Sequence, residues 1–415
     1  MPKKVFTVKT KPKKCLSCGS KNVFQIMYGL ADEYVFKYFQ EKRKIDFIIG
    51  GCIVTGYDPE WGCTDCNAYY FWKGHSGKEL GVNKNEKYQQ ALHKDTVERL
   101  QRIAKAQTTA EQRLKEIIQK SLKKEPQAFK RIIEGESNEV YEVALKNAEN
   151  VILRIAHEKG DNFEAETWAM RKAGKAGVPV ANVLAIGEIK DGKRTLRYSI
   201  QEKLPGRRLF DIVREDTVDP KALKKVVEQA GAILARLHQV KTTGWGLLNK
   251  EGKGEFTTIK PWMQEKLDQK AFYLDLCDKH SLLSPAAVEQ MFEELEEVPS
   301  IFQKEPNLLH QDFLPEHIFV KDGKISGIID FGFVASGDLA TDFATWENSA
   351  GAKLPVKWLI NGYKKEKDPG KSFEKRVRLA LLRKLLINLY YYTEDRPFPE
   401  FAQRTALSIQ RLLAR

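Results

Sequence analysis

The stretch His310-Gln311-Asp312-Phe313-Leu314-Pro315-Glu316-His317 runs into an apolar segment, Ile318 to Lys321, and then an Asp322-Gly323 pair. A second segment, Lys324 to Ile329, ends on Asp330-Phe331-Gly332. Asp-Gly suits a two-residue turn with φ > 0 at both positions, so the two segments are predicted to pair as a β-hairpin. A hairpin brings its ends together. His317 and Asp330 should therefore be neighbours, with Asp312 a few residues upstream on the same side. Phosphoryl transfer uses such a grouping, because carboxylates hold Mg²⁺ against the phosphates while one more orients the attacking hydroxyl. Asp312 is the candidate for taking the hydroxyl proton, and Asp330 and His317 are the candidate Mg²⁺ ligands. A solvated acidic hairpin would use the same residue types, but an H-x-D loop followed at this spacing by D-F-G is a compound signal.

Imidazole is a poorer ligand for Mg²⁺ than an amide oxygen, so His317 opens two readings. Either it binds metal and admits Mn²⁺ as well, or it is hydrogen-bonded within the loop. His310 is expected to brace the loop. Upstream, Val151-Ile152-Leu153-Arg154-Ile155 reads as a strand bearing one cation. Gly135-Glu136-Ser137-Asn138 reads as a turn whose small side chains let backbone N–H groups approach anions.

These motifs and others occur in an order that resembles the aminoglycoside phosphotransferase and choline kinase-like family, the small-molecule branch of the protein-kinase-like fold. The resemblance covers residues 131–350. It includes Gly177-Val178-Pro179-Val180, Gln201-Glu202-Lys203-Leu204-Pro205-Gly206, Leu234-Ala235-Arg236-Leu237-His238, Gly244-Trp245-Gly246 and Gly337-Asp338-Leu339-Ala340-Thr341-Asp342. It implies an α+β bilobal fold with a small β-rich N-lobe and a helical C-lobe. It further implies ATP as donor, a phosphate loop at Gly135, Ser137 and Asn138, and Arg154 on the α- and β-phosphates. Glu166, rather than Glu164, should pair with Arg154, and adenine should meet backbone groups of Glu202 and Leu204. Arg replaces the Lys of protein kinases here, which changes reach but keeps phosphate recognition. Asp338 and Asp342 would be structural, the latter fastening the catalytic loop from below.

The chain has 415 residues, enough for such a fold plus an attachment. Residues 1–82 carry 13 Lys and Arg against 8 Asp and Glu, and residues 83–130 carry 12 against 6, so most of the net charge of +13 lies there. That basic segment could contact nucleic acid or an acidic protein, or simply be a solvated surface. The sequence lacks a run of 18 apolar residues, and Met1-Pro2-Lys3-Lys4 is unlike a signal peptide, so a cytoplasmic protein without membrane contact is expected. Four of six cysteines form two C-x-x-C pairs, Cys15/Cys18 and Cys63/Cys66. Two such turns facing each other make an S₄ site suited to structural Zn²⁺, with Gly19 and Asn67 as residues that tolerate φ > 0. An insert between them, helical from Ala31 to Ile45 and strand-like from Phe47 to Thr55, is expected. Cys52 and Cys277 should be small buried apolar groups.

Apolar residues from Glu86 to Lys124 recur at helical spacing, and Thr109-Ala110-Glu111-Gln112 offers a capping box, so two helices are predicted, whose apolar stripe could mediate dimerisation or, as the more ordinary outcome, pack on the N-lobe. The expected division is a zinc-ribbon-like domain at 1–82, a helical linker at 83–126, an N-lobe at 127–206 and a C-lobe at 207–415. The acceptor pocket should lie in the C-lobe, where acidic residues such as Asp275, Asp278, Glu293, Glu294, Glu296 and Glu297 could draw a cationic ligand or merely face solvent. Two functions stay open: a small-molecule hydroxyl kinase, and a nucleotide-binding regulator without turnover, tethered through its basic N-terminus.

Overall fold

The computed structural model describes residues 12–21, 108–132, 138–156, 162–192, 194–215, 218–350, 353–395 and 399–414, together with five strands toward the N-terminus. Those strands are β1 (Val5–Val8), β2 (Val23–Met27), β3 (Phe47–Ile49), β4 (Trp61–Cys63) and β5 (Tyr69–Trp72). They form one mixed sheet in the order β1-β5-β4-β2-β3. The Cys15 turn closes as its sequence suggests: Gly19 has φ of +76° and donates its N–H to the Cys15 carbonyl at 2.8 Å. Cys63 ends β4 opposite Val23. The side chain of Cys63, all of Cys66 and Asn67, the segment from Ala31 to Ile45, Cys52 and the first linker helix lie outside the described residues.

Helix α1 (Glu111–Leu122) is the second linker helix. Its Leu114, Ile117 and Ile118 are fully buried among Tyr141, Leu153, Tyr198 and Ile200, an amphipathic stripe that gains about 1.5–3 kcal/mol per side chain on burial. The predicted capping box does not form. The N-cap is Ala110, without a side-chain bond. Thr109 instead gives both its backbone N–H and its hydroxyl to Glu139, each at 2.7 Å, because that buried carboxylate needs donors more than an exposed helix end does.

Next come β6 (Pro126–Ile132), β7 (Asn138–Leu145), β8 (Val151–Ala156), helix α2 (Phe163–Lys175), β9 (Val183–Asp191) and β10 (Arg194–Glu202). The strands make an antiparallel sheet in the order β6-β7-β8-β10-β9. Alternation along β8 buries Val151, Leu153 and Ile155 against α1 and so turns Arg154 to the opposite face. The Asn162 side chain caps α2 by accepting from the Ala165 N–H at 3.0 Å.

The remainder is mostly helical around a larger core. It comprises β11 (Arg207–Arg208), α3 (Leu209–Arg214), α4 (Pro220–Leu237), β12 (Trp245–Leu248), β13 (Gly254–Phe256), α5 (Ile259–Leu267), α6 (Lys270–Lys279), α7 (Pro285–Glu296) and α8 (Val298–Ile301). Then follow β14 (Asn307–Leu309), β15 (Ile318–Lys321), β16 (Lys324–Ile328), β17 (Ala335–Gly337), α9 (Ala340–Ser349), α10 (Val356–Lys364), α11 (Phe373–Tyr390) and α12 (Pro399–Leu413). Helices α4 and α10 cross backbone to backbone. A Cβ on Gly231 would sit 2.0 Å from the Leu359 carbonyl oxygen, and one on Gly362 only 1.9 Å from that of Glu228, so only glycine permits this approach. Cys277 is buried as expected, and burial pushes its thiol up to about 11. No helix among the described residues is long and apolar enough to cross a membrane.

Candidate active site

Strands β15 and β16 pair as the predicted hairpin, with Asp322 at φ +50° and Gly323 at φ +71°. At its open end the Ile329 N–H donates to the His317 carbonyl at 3.0 Å, which places Asp330 beside His317. His317 Nε2 lies 3.5 Å from Asp330 Oδ2, and its Nδ1 lies 3.5 Å from Asp312 Oδ2. Ligand atoms from Asp312, His317 and Asp330 all fall within 4.8 Å of one another.

The tautomer of His317 follows from its partners. Nδ1 is 2.8 Å from the Asp312 backbone carbonyl, which only accepts, so Nδ1 carries the hydrogen. Nε2 of the neutral ring is then left with its lone pair toward Asp330. One nitrogen and two carboxylates facing a common space fit a divalent cation, and the bond to Asp312 fixes the ring as an outer-shell partner would. Of the two sequence readings of His317, the hydrogen bond within the loop is the one seen.

Two residues of the site sit in the left-handed backbone region, Gln311 at φ +67° and Asp330 at φ +66°. Such strain costs about 1–3 kcal/mol each and persists only where the surroundings hold it. Asp342, fully buried, supplies the hold: its two oxygens accept the N–H of His310 at 2.9 Å and of Gln311 at 2.7 Å. It also accepts from His238 Nε2 at 3.0 Å, while His238 Nδ1 faces the Tyr363 hydroxyl at 3.3 Å. His310 donates Nε2–H to the Ile329 carbonyl at 3.0 Å and so ties the loop to the far end of the hairpin, as expected of a brace. Asp338 is structural too, buried and doubly bonded to Arg376 at 2.7 and 2.9 Å.

Burial pushes the His238 and His310 imidazoles below their usual value. Asp342 is pushed up by burial, but the His238 bond and the backbone donors outweigh this and leave it low. A histidine depressed in the folded state binds its proton in the unfolded chain first, so stability falls as pH drops below about 6.5, the unfolded value. We expect a loss approaching about 1.4 kcal/mol per pH unit for each histidine, seen as a falling midpoint in urea melts between pH 7 and pH 5. His238→Asn should flatten that slope.

Arg154 donates to Glu166, and its other terminal nitrogen lies 3.5 Å from Asp330 Oδ1. Glu164, which helical spacing turns to another face, is paired instead with Arg197. Gln201, buried at the end of β10, reaches Glu166 at 3.4 Å and orders the carboxylate from behind. Burial raises the Asp330 carboxyl, but the Arg154 guanidinium, with the Gly332 backbone N–H among the further donors, outweighs it and holds it below the ordinary carboxylate range. Neighbouring Glu316 is pushed up by burial.

The Glu202 N–H is taken by the Asn182 carbonyl at 3.0 Å, and Leu204 packs beside Gly327 under the hairpin. Asn138 opens β7; Gly135 and Ser137 lie outside the described residues. In the C-lobe, Glu294 is bonded to Arg378 and Glu297 to Lys375, which spends two of the acidic groups expected to draw a cation. Sequence reasoning missed His238 and Gln201 as supports. Both lay in quoted motifs, but nothing local links His238 to a carboxylate more than a hundred residues away.

A five-stranded antiparallel sheet carrying Arg154, joined to a helical lobe in which Asp312 and Asp330 meet across a braced hairpin, is the architecture of a phosphotransferase with a kinase-like fold. Residues 128–361 match the profile of the Phosphotransferase enzyme family, and the chain belongs to that family. It is similar to hygromycin-B 4-O-kinase of Escherichia coli, 26% identical over 282 residues that span 65% of this chain and 76% of the relative. It is also similar in fold to crystal structures of aminoglycoside phosphotransferase APH(4)-Ia. One superposes with a TM-score of 0.59 at 20% identity over 74% of this chain and 99% of that one. Another, of a thermostable mutant in ternary complex with AMP-PNP and hygromycin B, gives 0.58 at 19% over 72% and 98%. The chain is a distant relative of these small-molecule kinases.

Proposed function

We propose that this protein transfers the γ-phosphoryl group of ATP to a hydroxyl of a small molecule. The observation that carries this reading is the joint placement of Asp312, His317, Asp330 and Arg154 about one space. Asp312 is half-exposed, so its carboxylate can meet an incoming hydroxyl, orient it and accept its proton. Arg154, held by Glu166, would fork the α- and β-phosphates, and the turn at Gly135, Ser137 and Asn138 would wrap them. Adenine would lie along the backbone at Glu202 and Leu204. Asp330 and His317 would hold Mg²⁺, whose charge screens the phosphate oxygens. A regulator without turnover would not need both aspartates set against strained backbone, so the catalytic reading is preferred. Labelled ATP incubated with the protein and a panel of hydroxyl acceptors tests it; hydrolysis and transfer both absent with Mg²⁺ and with Mn²⁺ would reject it.

Because one ligand is an imidazole nitrogen, Mn²⁺ should support turnover at least as well as Mg²⁺. His317→Asn should keep Mg²⁺-dependent activity but weaken Mn²⁺ binding about tenfold, read by electron paramagnetic resonance of free Mn²⁺. Equal Mn²⁺ affinity in the two proteins would show that His317 only braces the loop.

The attachment is read as a zinc-ribbon-like domain at 1–82 followed by a helical linker, with Cys15, Cys18, Cys63 and Cys66 around one structural Zn²⁺. The left-handed Gly19 turn and the position of Cys63 at a strand end support this. Elemental analysis should find about one zinc per chain, as four thiolates require, and a metal-free protein would overturn it. The basic surplus of residues 1–130 would suit an acidic protein or nucleic acid.

A further inference from the structure

Helix α2 turns Ala165, Glu166, Ala169 and Ala173 into the protein. Glu164, Trp168, Arg171, Lys172 and Lys175 recur at three- and four-residue steps and share its other face. Together with Thr167, Ile186 of β9 and Lys250 of the β12–β13 turn, they line one cavity of about 360 Å³. That size lies in the range of small-molecule sites.

The turn bearing Lys250 is fixed against the helix. Asn249 orders it, its side-chain oxygen accepting the N–H groups of Glu251 and Lys253, each at 3.0 Å. Gly252, at φ +76°, packs so closely on Trp168 that a Cβ there would come within 2.1 Å of the indole. Asn162, the cap of α2, also donates to the Leu248 carbonyl at 3.2 Å.

Charge in the cavity is unbalanced. Four cations stand against one carboxylate, Glu164, which is already paired with Arg197. Neither Arg171 nor Lys175 has an ion pair or a side-chain hydrogen bond among the described residues. Lys172 lies 5.5 Å over the Trp168 ring, and Lys250 meets the exposed Glu251 at 3.8 Å. A solvated helix face can carry such a row of cations. Thr167 argues for a ligand instead: it is buried, it borders the cavity, and its hydroxyl has no hydrogen bond among the described residues. Cations beside a spare hydroxyl suit phosphate oxygens, while Trp168 and Ile186 supply an apolar wall for a planar ring.

We propose that this cavity is a second ligand site that takes a mononucleotide, with its phosphate toward Arg171, Lys175 and Lys250 and its base against Trp168 and Ile186. The site lies on the outer face of the helix whose inner Glu166 holds Arg154. A ligand joining α2 to the β12–β13 turn keeps that helix where Glu166 meets Arg154, and so favours ATP at the active site. This coupling rests on the phosphotransferase reading; the cavity and its ligand do not.

Calorimetric titration of the full-length protein with AMP, GMP and UMP tests the site. One of the three is expected to bind at one per chain, with its nucleoside and ribose 5-phosphate each at least about tenfold weaker, since each control lacks one half of the recognition. Arg171→Gln with Lys175→Gln should weaken that binding about 100-fold, as loss of two charge-assisted bonds implies, with no change in melting temperature because neither side chain has a partner to lose. No binding of any mononucleotide, binding that the double substitution leaves untouched, or inorganic phosphate binding as tightly would overturn the site. A short single-stranded RNA displacing the nucleotide at far lower concentration would also overturn it, by marking the face as a nucleic-acid surface. For the coupling, the saturating mononucleotide should tighten a fluorescent ATP analogue about fivefold in the wild type and not in the doubly substituted protein. Equal affinity for the analogue with and without the mononucleotide would overturn the coupling. Mononucleotide binding that the double substitution removes would uphold the site even in a protein that phosphorylates no acceptor, in which case only the kinase reading falls.

Discussion

Asp312→Ala is expected to lower kcat by about 10³-fold while leaving nucleotide affinity nearly unchanged, the range that a positioned general base supplies. The geometry separates the two aspartates. Among the described residues Asp312 meets His317, through its carbonyl at 2.8 Å and its carboxylate at 3.5 Å, and its side chain is partly exposed. Asp330 lies 3.5 Å from both Arg154 and His317, the groups assigned to phosphates and metal. Asp330→Ala should therefore weaken Mg·ATP binding about 10- to 100-fold, in addition to lost turnover, as loss of one ligand and its charge implies. Single-turnover rates with labelled ATP, set beside titration with a fluorescent nucleotide, resolve the pair. Unimpaired transfer by Asp312→Ala would remove it from the mechanism.

Asp342→Ala should cost about 3–5 kcal/mol of stability, although the residue touches no reacting group. Its removal strands three buried donors at once: the His310 and Gln311 backbone N–H groups and His238 Nε2–H. It also releases the left-handed Gln311, one residue from Asp312, so surviving folded protein should lose activity as well. Asp342→Asn keeps one acceptor oxygen and should recover part of the stability, because only the second lone-pair set is replaced by a donor. Urea denaturation of the three proteins checks the order. A change below about 1 kcal/mol for Asp342→Ala would mean that water satisfies these donors.

The sequence by itself determined what is local. Asp322-Gly323 dictated a turn with both φ values positive, β-branched runs on either side dictated the strands, and together these fixed that His317 meets Asp330. Alternation in β8 likewise determined that Arg154 leaves the face of Leu153 and Ile155, and helical spacing separated Glu166 from Glu164. The capping box at Thr109 was misread because a local signal lost to a distant one. A buried carboxylate, Glu139, thirty residues on, took the donors that would have capped α1. Only the tertiary structure decided the support beneath the catalytic loop, where His238 at the C-cap of α4 meets Asp342 on α9 while α4 and α10 pack through glycine contacts that no short pattern encodes. It alone decided, too, that Glu294 and Glu297 are held in ion pairs with Arg378 and Lys375. Charge can be counted along a chain, but whether it is compensated depends on which side chains the fold brings within a few ångströms.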